Sequence, residues 1–80
     1  EMPVAEDPAT ENAKALQMKM LKAFPEQDHD SHIASHVAFM NTRMVQINPM
    51  VYSLLQGHIS DHIALKAHGE EIGRASCRNG

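Results

Sequence analysis

Three histidines stand at spacings of three and four in Asp28-His29-Asp30-Ser31-His32-Ile33-Ala34-Ser35-His36-Val37-Ala38-Phe39-Met40. A shorter version follows at His58-Ile59-Ser60-Asp61-His62, so the pattern His-Ile-x-x-His occurs twice. Five of the six histidines fall in these two stretches. On a helix, residues three and four apart lie one above another on the same face. The spacing therefore predicts two helices, each carrying a row of imidazoles.

The rest of the chain agrees with an all-α fold. Eighty residues allow one small domain with a core of marginal size. Met occurs six times, Phe twice, Tyr once and Trp not at all, so helix formers outnumber bulky strand formers. Asp7-Pro8 is a helix start, with Asp as N-cap and Pro at the first helical position. Ala9, Ala13, Leu16, Met20 and Phe24 then recur at three-to-four spacing as an apolar stripe, and Pro25 ends the helix. In the second helix, capped by Asp28 or Asp30, Ile33, Val37, Met40 and Met44 form an apolar row beside His29, His32, His36 and Phe39. Asn48-Pro49 opens the third helix. Along it Val51, Leu55, His58, His62 and Leu65 follow a four-three-four-three seam. Gly57 would permit close approach by a neighbouring helix, and Gly69 is a natural stop.

These signals predict three helices, at about 9–24, 28–43 and 49–68, the last two an antiparallel hairpin, with disordered ends. Residues 1–8 read as a linker, 9–69 as the helical segment and 70–80 as a non-native tail. The tail is set apart because Glu71-Ile72-Gly73-Arg74-Ala75-Ser76-Cys77-Arg78 resembles a translated sequencing adapter, as found at the ends of frames read from environmental DNA. On that expectation the chain is a metagenomic fragment. Cys77, its only cysteine, then says nothing about redox chemistry.

Composition excludes some functions. The net charge of −3 offers no basic footprint for nucleic acid; Lys14, Lys19, Lys22, Arg43 and Lys66 are scattered and outnumbered. No apolar run reaches the roughly 20 residues that a membrane helix needs. A Gly-rich phosphate loop, a nucleophile motif and a paired-Cys zinc signature are all missing, so no enzyme is expected.

Two chemistries suit the histidines. Neutral imidazole donates one hydrogen bond and accepts another, so His29, His32, His36, His58 and His62, with Asp28 and Asp61, can form a polar layer that locks the register of two helices. Such a layer would respond to pH. This is the preferred reading, with no catalytic residue, cofactor or metal. The alternative is a small helical metal-binding module in which His32, His36, His58 and His62 supply four nitrogens to one transition-metal ion. Asp28, Asp30 and Asp61 could then ligate it or accept a ring N–H. The Glu-x-x-His pairs of di-metal carboxylate bundles are not reproduced; Glu26-x-x-His29 occurs once, ahead of the helix body.

The ordered set Asp-His-x-x-His-Ile-x-x-His-x-x-Phe at 28–39, then Asn48-Pro49, then His58-Ile59-Ser60-Asp61-His62-Ile63, resembles a segment from the C-terminal part of certain tailed-bacteriophage portal proteins. The likeness covers about residues 26–67. It implies a structural piece of a head-to-tail connector: a homo-oligomeric ring at one capsid vertex, contacting other virion proteins. DNA is packaged and ejected through such a ring without sequence-specific binding. It further implies location in the virion after assembly in the host cytoplasm, no membrane partner and no catalysis. The resemblance assigns no functional residue within the segment.

Overall fold

The computed structural model describes the backbone of residues 4–79 and the side chains of residues 4–72. The described residues form four helices and no strand: α1 (Pro8–Leu16), α2 (His29–Met40), α3 (Arg43–Gln46) and α4 (Pro49–Asn79). The fold is all-α, with one helix more than expected. The extra one, α3, is a single turn within the connection between the two histidine-bearing helices.

Local chemistry sets most of the helix starts. Asp7 caps α1 by accepting from Thr10 N at 3.3 Å, with Pro8 at the first helical position. Its carboxyl group is held below the usual Asp range by the hydrogen bonds from Thr10, side chain first and backbone second. Asp28 caps α2 by accepting from Ser31 N at 3.1 Å. At the start of α4, Asn48 Oδ1 accepts from Val51 N at 3.4 Å.

Helix α1 is shorter than its apolar stripe. It ends at Leu16, and Met18 takes a left-handed conformation at φ 58°. Good helix formers continue past this point, so propensity does not stop the helix. The bend feeds Leu21 back against the core, a tertiary requirement that outweighs the roughly 1–2 kcal/mol strain of a left-handed non-glycine residue. The inward face also differs from the stripe. Glu11 and Ala15 are buried, whereas Ala9, Ala13, Leu16 and Met20 are exposed.

Ala15, Met40, Val45, Val51, Leu55 and Ile59 make the apolar core, with Leu21, Ile33, Phe39 and Leu54 packed against it. Along α4, Val51 and Leu55 come first and His58 and His62 follow; along α2, His32 and His36 precede Met40. The heptad-like seam of α4 is its buried side, with Leu65 half-buried. On α2 the inward row is His32, His36 and Met40, while Val37 and, just beyond the helix, Met44 face outward. Two glycine expectations are corrected. A Cβ placed on Gly57 meets nothing within 4 Å, so no neighbour approaches closely there, and Gly69 lies inside α4 instead of ending it. Helix α4 runs on through the residues set apart as a tail. Of the ends expected at residues 1–8 and 70–80, residues 1–3 and 80 lie outside the described residues.

Candidate metal centre

Three helices deliver side chains to one buried point. Helix α2 presents His32 and His36, α4 presents His58 and His62, and α1 presents Glu11. Each pair of histidines is four apart, so each helix stacks two rings on its inward face. None of the five residues is more than 5% exposed. One potential ligand atom from each lies within 4.8 Å of all the others.

Glu11 is the hub. Its Oε1 lies 2.9 Å from His32 Nδ1, 3.0 Å from His36 Nε2 and 3.1 Å from His58 Nε2. His62 Nε2 is 3.2 Å from His58 Nε2. The rings pack edge-on and tilted, with His32–His62 and His58–His62 centroids 4.7 Å apart. The structure thus brings together the four histidines expected from spacing and adds a carboxylate that spacing did not reveal. No local signal pointed to Glu11, because its partners are 21, 25 and 47 residues away in the chain.

The three aspartates expected to serve the histidines lie elsewhere. Asp28 is occupied as the α2 cap, and Asp30 is paired with Lys66 at 2.6 Å on the surface. That pairing raises the Lys66 pKa above its ordinary value. Asp61 is exposed and borders a shallow groove with Leu21, Lys22 and Leu65. An aspartate at a helix start is better used on free backbone N–H groups than buried.

Outer hydrogen bonds fix ring protonation. His29 Nε2 lies 3.2 Å from the Pro25 carbonyl, which can only accept, so that nitrogen carries the proton. In neutral His29, Nδ1 is then a lone pair. It lies 2.8 Å from His62 Nδ1, which must therefore donate to it. His62 Nε2 is left as a lone pair pointing inward. His36 lies between two acceptors: its Nδ1 is 2.7 Å from Asn12 Oδ1 and its Nε2 is 3.0 Å from Glu11 Oε1. A neutral ring donates to only one of them.

The contact left without a proton is relieved by an Asn12 amide turned to donate, by a further proton or by a cation. A proton on His36 would serve, but burial, followed by the nearby His58 charge, lowers its pKa. His62 is pushed down to about 4, again by burial first and His58 second. A metal cation is another possibility. Ligands held 2.0–2.2 Å from an ion stand about 2.9–3.4 Å apart, close to the 2.9, 3.0 and 3.1 Å between Glu11 Oε1 and three of the ring nitrogens, while the five atoms together lie within 4.8 Å of one another. His58 Nδ1 is the one buried side-chain nitrogen or oxygen among the described residues with no hydrogen-bond partner.

The chain has no match among protein-family models, curated proteins or solved structures.

Proposed function

We propose that the protein is a small helical metal-binding module holding one divalent transition-metal ion with Glu11, His32, His36, His58 and His62. The observation that carries this reading is the convergence of five buried ligand atoms, four imidazole nitrogens and one carboxylate oxygen, within 4.8 Å of one another. A cation among them would engage lone pairs that neutral rings, with one proton each, leave facing one another.

The size of the fold supports the same conclusion. Six buried apolar side chains among the described residues are few for an independent domain. Small folds compensate with disulfides or structural metals, and a single cysteine cannot form a disulfide within the chain. The enclosed site, with no ligand more than 5% exposed, suits a structural or sequestering role better than catalysis, which needs an open coordination position.

Isothermal titration of the purified chain with zinc or cobalt tests the proposal. One ion per chain is expected, with tetrahedral or five-coordinate cobalt absorption bands. No heat and no bands at micromolar metal would remove it.

A second reading draws on a different observation. Met20, Met44, Ile47 and Met50 are each more than half exposed. Such side chains favour packing against further protein, as in a subunit of a phage portal ring. The ring pairs His29–His62 and His36–His58 support the antiparallel hairpin expected from the helix signals. In that setting the metal would lock the hairpin. The genomic locus is the test: a reading frame opening upstream into further portal domains supports it, and a short complete gene removes it.

A further inference from the structure

Asn12 and His29 stand outside the ring of ligands, yet each is hydrogen-bonded to the outer nitrogen of one ligand ring. His29 is in turn anchored on the Pro25 carbonyl. Neither residue can reach the centre while making these bonds. Both are only half-buried, so solvent could serve their polar groups without these imidazole partners.

Resting on the metal reading above, we propose that Asn12 and His29 are the positioning residues of the centre. They hold His36 and His62 with Nε2 unprotonated and inward, which matches the site to one borderline divalent ion of the cobalt, nickel and zinc class. A neutral imidazole can ligate through only one nitrogen at a time, and its other N–H decides which. Without an outer acceptor, either ring could turn its N–H toward the centre and expel a cation. With both acceptors in place, two nitrogens on different helices are committed to the ion before it arrives. The nitrogen-rich donor set, with a single carboxylate, disfavours magnesium and calcium, which require oxygen ligands. It contains no thiolate to favour soft ions.

Two measurements on the full chain decide this. Long-range proton–nitrogen NMR of the metal-free protein should show His36 and His62 protonated on Nδ1 and bare on Nε2. Finding both protonated on Nε2 overturns the proposal, whatever the metal affinity. In zinc titrations, Asn12→Leu and His29→Phe should each weaken binding roughly 10–100-fold, the usual effect of losing an outer partner. Asn12→Asp, which keeps an acceptor, should retain the affinity. Wild-type affinity in both apolar variants overturns the positioning role, and magnesium bound as tightly as zinc overturns the ion class. If the wild-type chain binds no metal, the functional reading above falls, while the NMR result still decides the tautomers. If an apolar variant misfolds, the wild-type spectrum alone decides.

Discussion

His29 Nδ1 lies 2.8 Å from His62 Nδ1, joining the first turn of α2 to the middle of α4. The contact closes a chain of hydrogen bonds from the Pro25 carbonyl through two imidazoles to the buried centre. A residue just before α2 thereby influences a ring on α4, and the centre ties together helices that share only a small apolar core. On the proposed metal reading, stability and ion binding are therefore linked.

That link predicts a large thermal response to metal. An ion that binds only the folded chain stabilises it by about 2.7 kcal/mol at one hundred times its Kd. For a domain of this size, that corresponds to a Tm increase of about 10–20 °C. Circular dichroism melts with added zinc should show the rise, and a chelator should reverse it. An unchanged Tm at saturating zinc would contradict the proposed centre.

Glu11→Ala tests the hub without metal. The carboxylate accepts from His32 and His58, so its removal leaves buried donors unpaired. Each unpaired group costs about 1–3 kcal/mol. Urea denaturation of the metal-free variant should show a loss of at least that size. Met20→Ala, at a side chain 93% exposed, should stay within about 0.5 kcal/mol of wild type.

The contrast between α4 and α1 shows what the sequence could reveal. On α4, apolar residues and histidines share one seam, and that seam is buried from Val51 to His62. On α2 the histidine row was legible, but two members of the apolar row beside it, Val37 and Met44, lie outward, although aliphatic residues are the usual occupants of a core face. On α1 the apolar stripe named the wrong face. Glutamate is rarely buried unless paired, so Glu11 reads as a solvent-facing residue. Only the folding of α1 against two distant helices supplies its partners. The break at Met18 was hidden for the same reason, since nothing in Leu16-Gln17-Met18-Lys19 disfavours a helix.

Gly57→Ala should stabilise the protein. The residue lies inside α4, and an added Cβ meets nothing within 4 Å. The substitution limits the unfolded chain and favours the helix by roughly 0.8–1.0 kcal/mol. A higher urea midpoint with an unchanged slope is expected. A loss of stability would reveal a close neighbour at that point on the helix.

Acid should destabilise the metal-free protein well before its carboxylates protonate. His62 in the folded chain has a pKa lowered to about 4, and that of His36 is lowered as well, in both cases chiefly by burial. In the unfolded chain both titrate near 6.5. From pH 6.5 downward the unfolded state therefore binds more protons than the folded state, and stability falls with pH. For His62 the loss accrues until about pH 4, where the folded chain takes up the proton too. Above pH 6.5 both states hold neutral rings, and the contribution is fully present. Urea midpoints should be level between pH 8 and pH 7 and then fall steadily toward pH 4. His62→Gln should flatten part of that fall, because it removes a group whose protonation differs between the states. A wild-type midpoint unchanged from pH 7 to pH 5 would mean that the rings take up protons in the fold as they do in the unfolded chain. The tautomer chain from Pro25 to the centre would then be lost with it.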